Sequence, residues 1–138
     1  QNRFKPKMMI DLATLTVAIV VSLGGHHAGL FSNNEDLSKE LLQAGKTTDE
    51  KLWEFPLTSD YDKMIDSAIA DVRNTGNGKG AGSITAAQFL KRFVNNVTWA
   101  HLDIAGVSWA DKSAGFNPVG ATGFGIRLLN EFVKKYEK

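Results

Sequence analysis

Histidine and carboxylate side chains recur at spacings that a metal site could use. His101 and Asp103 are two residues apart in the alternating segment WAHLDI, so on a β-strand they would share a face. Asp11, in a separate apolar segment, would be a third ligand if the two strands were neighbours. A zinc site needs three or four converging ligands. We therefore favour a simpler interpretation, in which His101 and Asp103 are hydrogen-bonded to backbone at the edge of a sheet.

A glycine-rich segment, residues 74–82 (NTGNGKGAG), is the second candidate site. Backbone N–H groups at the start of a helix can bind an anion. However, Gly78 and Lys79 are followed by Gly80, where a phosphate-binding loop requires serine or threonine. This segment is better interpreted as a loop that lines a cleft.

The remaining reactive residues form no complete catalytic set. His26 and His27 follow two glycines and are interpreted as solvated loop residues. No serine stands in a G-x-S-x-G motif. The sequence has no cysteine, which excludes a thiolate zinc site and a cysteine nucleophile.

Composition limits the class of protein. The chain has 138 residues and is 43% hydrophobic, which is typical of one globular domain or part of one. Its 16 basic and 15 acidic side chains nearly balance, so a nucleic-acid partner is not expected. Neither is a membrane partner: basic residues precede the apolar segment 8–23, but Asp11 interrupts it, and a span needs roughly 20 apolar residues. We expect a buried strand followed by a buried helix there.

Hydrophobic periodicity and helix-capping residues predict an α/β arrangement. Segment 14–23 fits a strand or a helix equally well, and segments 46–57 and 107–122 are expected to be connections. The expected strands are 7–13, 28–32 and 99–104. The expected helices run from a cap at Asn33 or Asn34 to Gly45, over 61–69, from a cap at Ser83 onwards and over 124–136. The buried face of the helix after Ser83 is expected to consist of Ala86, Ala87, Leu90, Phe93 and Val94.

Seven sequence blocks, in this order and spacing, resemble the C-terminal part of the catalytic domain of the leucyl (cytosol) aminopeptidase family. The blocks are IDLATLTVA (10–18), AGLFSN (28–33), KLWEFPL (51–57), IADVRN (69–74), ITAAQFLKRF (84–93), WAHLDIAG (99–106) and GATGFGIRLL (120–129). The resemblance implies a three-layer α/β sandwich, a mixed β-sheet flanked by helices as in zinc exopeptidases, which is incomplete in residues 1–138.

The resemblance also implies a function. Enzymes of this family are cytoplasmic hexamers that release N-terminal amino acids from peptides with two divalent metal ions, manganese or zinc, and can hold a bicarbonate. Their metal ligands lie in an upstream signature, asparagine-threonine-aspartate-alanine-glutamate-glycine-arginine, and further upstream, and these have no counterpart in this sequence. We therefore expect no metal ligand or catalytic residue in this chain, no metal bound by it alone, and a partner in the missing N-terminal part. The alternative is a non-catalytic fragment or pseudoenzyme that acts only as an assembly module.

What the resemblance assigns to this chain is one wall of the substrate pocket. The residues that would line the pocket for the first side chain are Thr14, Val17, Ala105 and Ser108. The backbone carbonyl of Leu15 would accept a hydrogen bond from the substrate's amino group, and Thr75 would face the second side chain. Val17 stands where the family usually has glycine, so we expect it to narrow the first pocket.

Overall fold

The computed structural model describes residues 1–76, 78, 80–113 and 118–137. The strands are β1 (Met8–Ala13), β2 (Ala28–Ser32), β3 (Leu52–Glu54), β4 (Thr98–Asp103), β5 (Trp109–Ala110) and β6 (Gly120–Ala121). The helices are α1 (Val17–Leu23), α2 (Glu35–Thr48), α3 (Ser59–Lys63), α4 (Gly82–Lys91) and α5 (Ile126–Val133), which continues as a 3-10 turn over Lys134–Tyr136.

A mixed four-stranded sheet in the order β1-β4-β2-β3 organises the chain. β4 pairs in parallel with β1, placing Ile10 opposite Ala100, and antiparallel with β2, placing Leu30 opposite Leu102. β3 is parallel to β2. The strand ends that carry Ala13 and Asp103 therefore lie side by side.

Helices cover both faces of this sheet, which makes the three layers expected. Ala100 and Leu102 of β4 point toward α2 and α5 and join the larger apolar core with Leu41 and Leu128. We call this side the α2/α5 face. His101 and Asp103 point the other way, as the alternation predicts, toward the α1/α4 face, where Ile19, Phe31, Ile84 and Ala87 form a smaller apolar cluster.

Two expectations about α2 and the chain after it are wrong. α2 begins after the predicted cap Asn34, whose side chain accepts a hydrogen bond from the Leu37 N–H, but it continues past Gly45 to Thr48. A Cβ at Gly45 would lie 2.6 Å from the Glu50 carbonyl oxygen, so the glycine permits a close approach of the returning chain. That chain forms β3, where only a connection was expected.

The N-terminal segment also differs from expectation. Segment 14–23 consists of residues 14–16, which have no regular secondary structure, and the helix α1, in which only Ile19 is buried. β1 is an edge strand with half-buried residues, because one side of it has no neighbour among the described residues. The buried strand and buried helix expected here are therefore only partly buried.

Smaller differences concern the later elements. The expected helix over 61–69 is shorter and begins earlier, as α3. Ser83 does not cap α4; the cap position is Ala81, in a left-handed conformation with φ 54°. The expected connection 107–122 contains the short antiparallel ladder β5–β6, and its residues 114–117, like 77 and 79 of the glycine-rich segment, lie outside the described residues. No described helix has both the length and the apolar character needed to cross a membrane.

Candidate functional site

A cavity of about 750 Å³ lies between the start of α1, the glycine-rich segment and one side of α4. Most of its lining is apolar side chain or glycine. The lining residues are Leu15, Thr16, Val17, Ala18, Asn74, Thr75, Gly76, Gly78, Gly80, Gly82, Thr85, Ala86, Phe89 and Leu90. This volume is within the range of small-ligand pockets, about 300–1,000 Å³. The described glycines thus line a cleft, as the sequence predicts.

The structure brings together three of the six residues assigned to the substrate pocket. Leu15, Val17 and Thr75 line the cavity although Thr75 is far from the other two in sequence. Thr14 is exposed at the end of β1 and is not part of the lining. Ala105 and Ser108 are half-buried after β4 and do not line the cavity either.

Val17 does not point into the core. It is the first residue of α1, is 79% exposed, and lines the cavity directly. An isopropyl group at this position therefore occupies space at the cavity wall, where glycine would leave room.

The wall formed by α4 was not anticipated as part of a site. Ala86 and Leu90 were assigned to a buried face on their helical spacing, and Phe89 was not singled out. In the structure all three are half-buried and line the cavity, whereas Ala87 on the next face is fully buried against the sheet. The signal was a second apolar stripe at i, i+3 and i+4 on the same helix.

A buried carboxylate lies beneath the cavity. Asp103, at the end of β4, is 1% exposed. Its Oδ1 accepts hydrogen bonds from the Leu15 N–H at 3.1 Å and the Ala105 N–H at 3.3 Å, and its Oδ2 accepts one from the Thr16 hydroxyl at 2.7 Å. The predicted hydrogen bonds to backbone are confirmed for Asp103, but its expected place at the edge of a sheet is wrong, because β4 lies between β1 and β2.

His101 is hydrogen-bonded to a side chain and not, as had been expected, to backbone. Its Nδ1 pairs with the Asp11 carboxylate at 2.5 Å, and the other oxygen of Asp11 accepts the Trp99 indole N–H at 2.7 Å. The imidazole lies between Phe31 and Trp99, with both rings nearly parallel to it. Its Nε2 is buried and has no hydrogen-bond partner among the described residues.

These carboxylates and histidines do not form a metal site. Asp11 and His101 are paired with each other, while Asp103 is occupied by the chain at residues 15–16. Within the described ranges, no group of three or more histidine and carboxylate side chains could hold a metal ion. The described residues of this chain therefore do not fit the two-metal centre that the resemblance implies. Of the adjacent histidines, His26 is exposed and His27 packs edge-on against Trp53.

An ion-pair cluster fixes α3 to the end of α4. Arg92 donates from Nε and Nη2 to the two carboxylate oxygens of Asp62, at 2.9 and 3.0 Å, and from Nη2 to Asp66 at 2.6 Å. These hydrogen bonds, first to Asp62 and then to Asp66, raise the pKa of the Arg92 guanidinium above its ordinary value. The chain that leads to the glycine-rich segment departs from this cluster, where the Arg73 N–H donates to the Ile65 carbonyl.

Comparison with known proteins identifies close relatives. Residues 1–130 match the catalytic domain of the cytosol aminopeptidase family. The probable cytosol aminopeptidase of Wolbachia pipientis wMel is 60% identical over 138 residues, which are 99% of this chain and 28% of that protein. The corresponding protein of Phytoplasma australiense is 57% identical over 137 residues, again 99% of this chain and 28% of that protein.

A solved structure shows the same fold. A mutant of tomato leucine aminopeptidase superposes with a TM-score of 0.85 at 45% identity, covering 94% of this chain and 25% of that one. This chain thus spans less than a third of the length of each of these relatives. The family expected from the sequence blocks is confirmed: the chain belongs to the cytosol aminopeptidase family and matches part of its catalytic domain.

Proposed function

We propose that this chain is the C-terminal portion of the catalytic domain of a metal-dependent aminopeptidase and forms one wall of its substrate pocket. The enzyme would release N-terminal amino acids, leucine among them, from peptides. The observation that supports this most strongly is the cavity of about 750 Å³, whose wall joins Leu15 and Val17 to Thr75. An apolar pocket beside an exposed segment of irregular backbone suits a substrate with an aliphatic first residue.

The chain's own residues would bind and orient the substrate. The Leu15 carbonyl would accept a hydrogen bond from the substrate's amino group, and Thr75 would face its second side chain. Thr14, Ala105 and Ser108 lie outside the cavity lining, so their assignment to the first pocket depends on residues that the rest of the protein would add.

The hydrolytic chemistry would come from outside this chain. Two divalent cations, manganese or zinc, polarise a carbonyl and activate a water in such a reaction. Because the described residues offer no metal cluster, the metal ligands would belong to the remainder of the protein, while backbone near Leu15 would help to bind a bicarbonate.

We also propose that the protein works as a homo-oligomer, a hexamer as in its family, in the cytoplasm. Large apolar side chains are exposed on α5, including Ile126 and Val133. Exposed apolar surface of this kind is typical of contacts with another chain or another part of the same protein.

A chimera tests this function. In it, this chain replaces the matching 28% of the Wolbachia pipientis relative, and the unmodified relative serves as the positive control. We expect the chimera to hydrolyse leucyl anilide with added manganese, and the 138-residue chain alone not to do so.

Two outcomes would contradict the proposal. Metal-dependent turnover by the chain alone would show that it holds its own metal centre. A chimera that folds and assembles but has no activity would instead favour the alternative, a non-catalytic assembly module.

A further inference from the structure

We propose that Asp103 is a positioning residue for the substrate-binding segment at residues 14–17. It fixes the direction of the Leu15 carbonyl and joins α1, α4 and the end of β4 into one rigid wall of the cavity. The functional part of this inference rests on the proposed aminopeptidase function, and its structural part does not.

The first argument is geometric. Asp103 binds the N–H of Leu15 with one oxygen and the hydroxyl of Thr16 with the other, at 3.1 and 2.7 Å. The carboxylate of Asp103 therefore binds the chain at two consecutive residues, before and after the Leu15 carbonyl. With its N–H and the next side chain fixed, the peptide that follows Leu15 has little freedom to rotate, and its carbonyl keeps one direction.

The second argument follows from the hydroxyl protons. Thr16 has one hydroxyl proton, and it is donated to Asp103. The Thr16 oxygen still accepts the Ile19 N–H at 3.1 Å, which caps α1, and it lies 3.0 Å from the Ser83 hydroxyl. Ser83 must then be the donor to Thr16. The charge of Asp103 thus orders a chain of hydrogen bonds that ends in the first turn of α4.

The third argument concerns the approach of the two helices. Ser83 is buried, and a Cβ at the neighbouring Gly82 would lie 3.0 Å from the Ala18 Cβ. α1 and α4 are therefore in close contact below the cavity, where the hydrogen-bond chain crosses between them. A buried charge is costly unless it is hydrogen-bonded. The hydrogen bonds that stabilise the Asp103 carboxylate come from Leu15 and Thr16, which line the cavity, and from Ala105, which follows β4.

The test compares variants in the chimera. Asp103→Leu has a similar size but leaves the Leu15 N–H without its acceptor and removes the carboxylate that directs the Thr16 hydroxyl. We expect the KM for leucyl anilide to rise about five- to tenfold, the equivalent of about one hydrogen bond, with kcat changed less than about twofold. Asp103→Asn should restore most of the lost affinity, because its amide can bond the same groups if the Thr16 hydroxyl turns toward Ser83.

A matched control separates positioning from stability. Glu50 is also a buried carboxylate, but it binds the Leu128 N–H at the start of α5, away from the cavity. Glu50→Leu should lower the melting temperature and leave KM unchanged. If Asp103→Leu fails to fold, Thr16→Val with Thr16→Ser as the rescue replaces it, and the KM expectations are the same.

Amide hydrogen exchange gives a readout that needs no activity. The Leu15 amide should exchange at least about tenfold faster in Asp103→Leu than in the unchanged chimera, and the Ile19 amide should do so in Thr16→Val. An inactive chimera would contradict the proposed function, and the exchange of Leu15 would still decide the role of Asp103. The inference is overturned if the Leu15 amide stays protected in Asp103→Leu, or if KM stays unchanged while the melting temperature falls as in Glu50→Leu.

Discussion

The two faces of the sheet are built on different physical principles. On the α2/α5 face, aliphatic side chains such as Leu30, Leu41 and Leu102 are fully buried and fill the space between strands and helices. On the α1/α4 face, the strand side chains His101 and Asp103 are polar, and hydrogen bonds connect the elements. The first arrangement stabilises the fold, and the second leaves an open cavity whose wall is fixed by directional bonds.

The buried carboxylates Glu50 and Asp103 show the same difference. Glu50 binds only the start of α5: it accepts the Leu128 N–H at 2.8 Å and the Arg127 Nε–H at 3.4 Å, where the cap residue Gly125 has no side chain to offer. Asp103 binds two backbone N–H groups and one hydroxyl from the chain around the cavity. Loss of the first should cost mainly stability, while loss of the second should also change how substrate is held.

The largest effect is expected from Leu41→Ala on the α2/α5 face. Leu41 is fully buried in the larger core, so its removal should lower the free energy of unfolding of the chimera by about 2–5 kcal/mol. Val21→Ala, on the exposed side of α1, should change it by less than about 0.5 kcal/mol. Urea unfolding followed by tryptophan fluorescence measures both. Equal losses would mean that the α2/α5 face does not dominate stability.

Val17→Gly tests the cavity wall on the other face. Removing the isopropyl group enlarges the cavity, so the ratio of kcat/KM for leucyl over alanyl anilide should rise, by up to about 1–3 kcal/mol in transition-state free energy. Val21→Gly is the matched control, because it places the same glycine in the same helix at a residue that does not line the cavity. If the ratio of kcat/KM rose equally in both variants, the cause would be a more flexible helix and not a larger cavity.

Substitutions of Arg92 and Lys134 compare the ion pairs on the two faces of the sheet. In Arg92→Lys, lysine cannot make the paired hydrogen bonds to Asp62, so the variant should lose about 1 kcal/mol of stability. Lys134→Gln removes the exposed pair with Glu131 on the α5 side and should cost less than about 0.5 kcal/mol. Thermal unfolding measures the stability lost in each variant. Equal losses would show that the Arg92 cluster stabilises the protein no more than the exposed Lys134–Glu131 pair does.

The smallest effect concerns Tyr136, whose hydroxyl donates to Glu40 at 2.7 Å. This hydrogen bond raises the pKa of Tyr136 above its ordinary value, because the phenol loses the bond on ionisation. The bond's contribution to stability is thus present below about pH 10 and is lost as the pH rises through the folded-state pKa. Tyr136 is half-exposed, so the change in stability should be slight.

The chimera and its Tyr136→Phe variant are both titrated by absorbance, and the difference between the two curves gives the pKa of the Tyr136 phenol. Glu40→Gln should move it down toward the ordinary tyrosine value, and Tyr61→Phe controls for the removal of one phenol. A titration that Glu40→Gln leaves unchanged would show that the hydrogen bond does not form.

Local sequence determined much of the fold. Alternation in WAHLDI correctly separated Ala100 and Leu102 from His101 and Asp103, because strand geometry alone assigns neighbours to opposite faces. The two asparagines at positions 33 and 34 correctly marked the start of α2, because capping depends on residues only a few positions away, and the structure shows that Asn34 is the cap. The seven sequence blocks identified the family, since they are distributed along the chain from residue 10 to residue 129.

Elements whose limits depend on distant residues were not predicted. Gly45 does not end α2, because the chain that returns past it at Glu50 needs the absence of a side chain there. β3 was missed because its three residues become a strand only by pairing with β2. α1 is apolar in composition but mostly exposed, because the described residues pack against only one side of it.

The candidate site shows this division most clearly. The sequence by itself determined which residue types are present: a histidine and two carboxylates suited to a metal site, and a valine at position 17. Only the tertiary structure decided their partners, pairing Asp11 with His101 and directing Asp103 to residues 15 and 16. The reason is physical: a carboxylate's role is set by the donors within about 3 Å of it, and folding brings these donors from segments far apart in sequence.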